Sequence, residues 1–459
     1  MSAENQTYPA SFQDLLAFTK EAMQRLHVPG VTIGLYTGGQ TYTAGLGITS
    51  VDNPLPVTAD TLLQIGSITK TYTSTAIFML CEQGKLSLDD PVRKHLPDFR
   101  VVDEQTAAAV TIRHLLDHTS GWLGDHFLNT GNGDDCLAKY VETMASLEQF
   151  TPLGEVFTYN NAAFNLAGRV IEVITGKTYE AAIREMVIEP LALNDSTFFL
   201  EDIMTRRFAV GHRWEEEKQK VVVLSPWGME RNSNACGGLI STVGDQLRYA
   251  RFHMGDTSIT GGSTLLSAET LKTMQSPVVK SDETWMGLNW YIWDIEGVRI
   301  LEHGGSTNGQ QATLWFAPEK DFAFCMLTNE QTGYILHTEV TNLVRKQYLG
   351  IEEKEPITFT LPDEKLNGYV ARYQASFGDI VSFTPQEGGL LMTHTPALHP
   401  GQETPDDPFP PTRTLAIDED RFLFIDPPFK GWKFDFLRDG EGRVKYLRFS
   451  GRIWKLLKD

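Results

Sequence analysis

Apolar side chains at Phe12, Leu15, Leu16, Phe18, Met23 and Leu26 recur at helical spacing and stop at Pro29-Gly30, which predicts an amphipathic helix over residues 11–27. Residues 31–36 and 41–46 are β-prone runs around Gly38-Gly39, the signal of a hairpin. From about residue 58 to 271 the pattern turns mostly helical. It includes segments 67–83 and 161–175, closed by Gly84 and Gly176 as candidate left-handed caps. Strand-like runs resume at 288–295, 298–302, 311–316 and 322–328, and 334–349 reads as a helix. Strands at both ends of this region therefore predict one sheet carrying a helix-rich insert over 58–271. The stretch from Gly350 to Pro356 is charged and has no apolar period, so a linker is expected over 351–362. Beyond it come only short alternating runs, such as 432–436 and 444–449 joined by a turn at 439–442, which predict a small all-β domain, sandwich or barrel, over 363–459. The fold class expected is α+β.

Composition changes this picture in one direction only. A length of 459 residues allows two or three domains, and 40 Lys plus Arg against 59 Asp plus Glu leave a net charge of −19. That acid excess repels phosphate backbones and anionic headgroups, which excludes nucleic acid and membrane surfaces as partners. The four cysteines, Cys81, Cys136, Cys236 and Cys325, form no C-x-x-C and read as reduced packing residues. With no signal-peptide pattern in the first residues and no apolar stretch of membrane-spanning length, a cytoplasmic protein without membrane insertion is expected.

Three short motifs carry the candidate chemistry. Ser67-Ile-Thr-Lys70 opens a helix whose later residues Tyr72, Ala76, Ile77, Met79 and Leu80 are apolar on nearly every side, so the helix is expected to be buried. Three residues is close to one turn, which brings the Lys70 amine over the Ser67 hydroxyl. A lysine serves as a base only where burial or a cationic neighbour lowers its pKa, and a buried helix offers that setting. The second motif, Tyr159-Asn160-Asn161, precedes a helix. It reads either as a core tyrosine beside an Asn cap or as a phenol that shuttles protons near Lys70. The third, His303-Gly304-Gly305, ends the strand 298–302, where two glycines would let a substrate backbone lie alongside. Another H-x-G, His399-Pro400-Gly401, lies in a proline-rich loop and is set aside.

In the order S-x-x-K, Y-x-N, H-x-G, the motifs resemble the serine β-lactamase and penicillin-binding-protein superfamily, specifically its class C and peptidase S12 branch. Flanking segments extend the resemblance over about residues 10–350: 63–71, 82–91, 237–242 and the run from Thr111 to Gly121 that ends His118-Thr-Ser-Gly121. The all-β tail resembles the lipocalin-like domain attached to some members. The resemblance implies an antiparallel sheet flanked by helices, with Ser67 as acylated nucleophile, Lys70 as its proton partner and Tyr159 as the acid/base. Asn161, His303, Gly304 and Gly305 would line the substrate, and the backbone N–H groups of Ser67 and Ser306 would form the oxyanion hole. No metal and no cofactor are expected. One departure stands out, because β-lactamases and many transpeptidases have lysine where this chain has His303. A largely neutral imidazole grips a substrate carboxylate less well.

The resulting expectation is a serine hydrolase working through an acyl-enzyme on amide or ester bonds of small molecules or peptides, with a D-amino-acid-type peptidase or amidase first. A short-chain esterase, a peptide-cyclising thioesterase and a weak class C β-lactamase remain open, as does a catalytically silent binding protein. The barrel could assemble a homo-oligomer, cover the cleft or do neither. His114, Asp117 and His118 share a helical spacing that a metal site could use, but no further ligand stands at a fixed distance, and the segment reads as a helix end. Residues 124–135, rich in glycine and aspartate, read as a cleft rim. No G-x-S-x-G exists to supply a nucleophile elbow.

Overall fold

The computed structural model describes residues 8–376, 378–398 and 407–457, so His399 to Gly401 lie outside the described residues. One antiparallel sheet runs, edge to edge, through Gln40–Gly47, Gly30–Thr37, Phe322–Thr328, Gln310–Ala317, Val298–Thr307, Tyr291–Ile295, Trp285–Met286 and Val279–Lys280. The first hairpin of the chain joins the last strands, with Val31 opposite Thr328, as the pattern predicts. Alternation along these strands serves two covered faces. Val31, Ile33, Phe324, Met326 and Trp315 pack beneath the helices Ala10–Arg25 and Gly333–Val344, while Leu314, Phe316, Cys325 and Leu327 face the helical layer.

In that layer the helix Thr69–Glu82 is buried at every position from Thr69 to Leu80. Its threonines satisfy themselves: Thr69 and Thr71 donate to the Gly66 and Ile68 carbonyls at 2.7 Å, and Thr75 donates to Thr71 O at 2.9 Å. A polar-looking helix can therefore sit in the core with these threonine hydroxyls paired, while the buried Ser74 hydroxyl has no partner. Helix Asn161–Thr175 begins on the Asn160 side chain and ends at Gly176 with φ +67°, as expected.

Two elements differ from the sequence expectation. The strand that begins at Val298 does not stop at Glu302 but runs to Thr307, and His303, Gly304 and Gly305 pair with Leu314, Thr313 and Ala312. The glycines read as a strand end because they pack no side chain. Here they admit another backbone instead, since a Cβ on Gly305 would lie 1.9 Å from Ile65 O. On the other side the strand pairs with Tyr291–Ile295 only as far as Glu302, so an open edge begins at His303. The helix expected over 334–349 is α-helical to Val344 and closes with a π turn, Arg345–Leu349, at Gly350.

Strands from Arg372–Gln374 to Arg452–Leu456 close an eight-stranded antiparallel barrel. Its interior holds Tyr373, Phe383, Phe422, Phe424, Phe434, Phe436 and Phe449, and Phe434 packs within 5.7 Å of four other rings. Eight strands enclose just enough space for side chains to fill. Residues 351–362 run between sheet and barrel, with Phe359 and Leu361 donating to the barrel carbonyls of Ala416 and Gly388. The barrel docks on the turn after Val279–Lys280: Arg448 donates to Lys280 O, Arg421 to Asp282 O, and Gly451 N to the buried Asp282 carboxylate at 2.7 Å.

Candidate active site

Ser67 lies in a 3-10 turn, Gly66–Ile68, that leads into the buried helix. It does not cap that helix, so its hydroxyl is free for other partners. Lys70, fully buried, donates from Nζ to Ser67 Oγ at 3.0 Å and to Cys236 O at 2.6 Å. The same nitrogen stands 4.9 Å from the centroid of the Tyr159 ring and 5.8 Å from that of Phe164. The three residues of the first two motifs thus converge in one dry site, built from the turn before one helix and the segment before another.

Strand Val298–Thr307 passes directly beside this turn. A Cβ on Gly66, where φ is +51°, would lie 2.6 Å from Ser306 N, and one on Gly305 would lie 2.9 Å from Ser67 N. The two expected oxyanion donors are therefore neighbours, held together by two glycines whose lack of side chains is a steric necessity. Gly304 and Ser306 are exposed at the cleft. His303 is not. It is 1% exposed, donates from Nδ1 to Gly304 O at 2.6 Å, and turns a bare Nε2 into the interior near Tyr159 and Tyr291. Burial, helped by the charge of Lys70, pushes its pKa down to about 3, so the imidazole is neutral.

The charge absent from the third motif enters from the barrel. Arg452, beside the hairpin tip Ser450-Gly451, has its guanidinium 5.1 Å from the Tyr159 ring centroid and pairs with Asp125 at 2.7 Å. Burial works against that cation, but the Asp125 carboxylate outweighs it and holds the pKa above its ordinary value. Asp125 also accepts from Asn161 Nδ2 at 2.6 Å, which ties the second motif to the barrel. Its own pKa falls below the usual range because Arg452 and Asn161 more than offset its burial. At the tip, Gly451 O accepts the Tyr159 N–H at 2.8 Å.

All seven residues expected at the site, and Ser306, lie around one cleft. The sequence reading missed Cys236, whose carbonyl holds Lys70, and Gly451 and Arg452, which stand almost three hundred residues from Tyr159. Asp125 falls in the segment read as a cleft rim, and Gly124 presses on the Tyr159 carbonyl closely enough that a Cβ would come within 2.5 Å. His114, Asp117 and His118 serve separate bonds: His114 Nδ1 accepts from Thr111 N, Asp117 from Thr119 N, and His118 Nδ1 from Asn160 N. Among the described residues no group of three or more metal-ligating side chains occurs, and no helix is long and apolar enough to cross a membrane.

Fold and site together define the class, a serine hydrolase on a β-lactamase/transpeptidase-like scaffold that carries an added barrel. Residues 15–344 match the family described as Beta-lactamase, and the chain belongs to that family. It is 32% identical over 347 residues to penicillin-binding protein 4 of Amycolatopsis lactamdurans, covering 74% of this chain and 90% of that one. It is 26% identical to unguisins hydrolase ungD' of Aspergillus campestris, covering 77% of this chain and 67% of the other. The crystal structure of SurE with D-Leu superposes with a TM-score of 0.78 at 22% identity, over 98% of this chain and 100% of that one, so the shared fold includes the barrel.

Proposed function

We propose that the protein cleaves amide or ester bonds of small molecules or peptides through an acyl-enzyme on Ser67, with D-configured amino-acid amides and peptides as the first substrate class. The observation that carries this reading is the 3.0 Å contact between Ser67 Oγ and the buried Lys70 amine, with the Tyr159 ring over that amine. In the acylation step Ser67 Oγ bonds to the substrate carbonyl carbon as its proton passes to Lys70, which acts in its deprotonated amine form. The carbonyl oxygen takes the negative charge and is met by the Ser67 and Ser306 N–H groups. The adduct collapses by breaking the bond to the leaving amine or alkoxide, which takes a proton relayed through Tyr159. Water then adds to the acyl carbon, its proton passing to Tyr159 as the phenol hands its own to the Lys70 amine; the bond from the acyl carbon to Ser67 Oγ breaks, the acid product leaves, and Lys70 returns the proton to Oγ, regenerating Ser67. Preorganised donors of this kind contribute on the order of 3 kcal/mol each.

Substrate class follows from charge placement. The neutral His303 offers no fixed cation where β-lactamases have lysine, which speaks against a β-lactam, while Arg452 presents one beside Tyr159 for a substrate carboxylate. The open strand edge from His303 to Thr307 suits an extended peptide backbone. Likeness to a structure holding D-Leu supports D-configured amino-acid substrates, and likeness to an unguisins hydrolase supports hydrolysis as the reaction. In this reading the ring-filled barrel is a lipocalin-like scaffold for the Gly451-Arg452 tip and not a ligand cup.

Fluorophosphonate labelling with peptide mass mapping tests the chemistry: an adduct on Ser67, none in Ser67→Ala, and labelling slowed at least about 10³-fold in Lys70→Ala. A folded chain without a Ser67 adduct would favour the silent binding protein. Turnover of D-amino-acid amides above that of L-amides, p-nitrophenyl esters and nitrocefin tests the substrate class.

A further inference from the structure

The segment His118-Thr-Ser-Gly121 has no part in the chemistry just described, yet its histidine is wholly buried against the site. His118 adopts φ +62°, a left-handed backbone uncommon for any residue with a Cβ. From there it reaches three consecutive residues. Its carbonyl accepts the Thr158 N–H at 3.0 Å, its Nδ1 accepts the Asn160 N–H at 2.9 Å, and its ring lies 4.5 Å from the Tyr159 ring at an interplanar angle of 23°. The N–H between those two, that of Tyr159, goes to Gly451 O. Phe157 and Phe164 close around the imidazole at 5.5 and 5.1 Å.

Because Nδ1 accepts, the ring proton sits on Nε2. Burial and the charge of Lys70 hold the pKa well below its ordinary value, so the ring is neutral. Nε2 faces the Asn289 side chain without a well-formed hydrogen bond, and both amide atoms of Asn289 are buried and unpartnered. His118 therefore carries no charge to offer, and it is sealed from the cleft. What it supplies is geometry.

We infer that His118 is a positioning residue for the reaction at Ser67, one that fixes the Tyr159 phenol over Lys70 by gripping the backbone on either side of Tyr159 and the face of its ring. The inference rests on the hydrolase reading, in which Tyr159 moves the proton.

A double-mutant cycle in the full-length chain tests it, read as the rate of fluorophosphonate labelling of Ser67. His118→Asn tolerates the left-handed backbone and keeps an acceptor near the Nδ1 position while removing the stack. His118→Gly keeps the backbone and removes both. Expected losses are about tenfold and about 100-fold, in line with displacements of an ångström or less at a reacting group. In a Tyr159→Phe background both changes should alter the rate by less than about twofold, because the phenol through which His118 acts is gone. Equal slowing in both backgrounds overturns the inference, as does wild-type labelling in the His118 variants or in Tyr159→Phe alone. Loss of cooperative melting in both His118 variants also overturns it, by assigning the residue to the fold. Absence of Ser67 labelling in the unsubstituted chain is a separate failure, that of the hydrolase reading.

Discussion

The barrel and the cleft bury opposite things. Inside the barrel Tyr373 and six phenylalanines fill a closed sheet with rings. Around Tyr159 the sheet and helices bury the Lys70 amine, the neutral imidazoles of His118 and His303 and the Asn289 amide, and the last three leave polar atoms without partners. Buried polar groups left unpaired are costly, and they gather where chemistry is done. The barrel meets that region with a two-residue turn, Ser450-Gly451, in which both residues are left-handed and Phe449 pairs with Arg452 across the hairpin. A rigid aromatic body thus holds one small tip against a strained polar site, and stability and activity should respond to different parts of the same barrel.

The largest expected effect tests the body. Phe434→Ala removes a fully buried ring from the barrel centre and should cost about 3–5 kcal/mol of unfolding free energy, seen as a lower denaturant midpoint. Ser67 labelling well below the transition should change by less than about threefold. If labelling falls along with stability under those conditions, the interior and the tip are coupled and the contrast fails.

Arg452→Ala should do the reverse. Turnover of substrates bearing a free carboxylate is expected to drop about 100-fold, near 2.7 kcal/mol, while the barrel's denaturant midpoint stays in place. The change also strips Asp125 of its cation, so the companion Asp125→Asn separates the two roles. In that background Arg452→Ala should cost the same activity, because the guanidinium acts on the substrate and not through Asp125. Equal loss on neutral esters and on carboxylate substrates would remove Arg452 from substrate binding.

What could be read from sequence divides along the same line. Ser67 and Lys70 are one helical turn apart, so local geometry alone brings them together, and Gly176 marks its helix end through a conformation that glycine favours. The sheet was legible because strands covered on both faces are nearly continuous apolar runs. Barrel closure could only be expected as one of two β architectures, since alternation fixes faces and leaves closure undetermined. His303 was legible as a motif and not as a buried, neutral ring, because its surroundings come from Tyr159 and Tyr291 on other elements. Arg452 gave no signal at all. In sequence it is the residue after a tight turn, and its place beside Tyr159 depends on docking through Asp282, Arg421 and Arg448.

Acid should unfold the sheet and helices through their buried imidazoles. His253, His303 and His337 have pKa values pushed down to about 3 by burial, against about 6.5 when unfolded. The unfolded chain then binds more protons than the folded one between those values. Stability is fully present above pH ~6.5 and falls as pH drops, by up to about 1.4 kcal/mol per pH unit for each histidine. His337→Gln should flatten the pH dependence of the melting temperature between pH 4 and 6 by about one proton. An unchanged slope would mean that His337 already takes up its proton in the folded chain.

The smallest effect lies at the seam. Glu283 sits under the barrel with Lys433 at 3.5 Å, and burial, only partly offset by that lysine, pushes its pKa up to about 7. A carboxyl raised in the folded state holds its proton there, so its contribution is fullest below pH ~4.5 and declines as pH rises through about 7. Glu283→Gln mimics the protonated form. It should leave the melting temperature unchanged at about pH 5 and raise it at about pH 8, by less than about 1 kcal/mol equivalent because the side chain still reaches water. The opposite sign at the higher pH would mean that the Lys433 ion pair outweighs burial, and that the barrel is held to the cleft by charge as well as by the Gly451 tip.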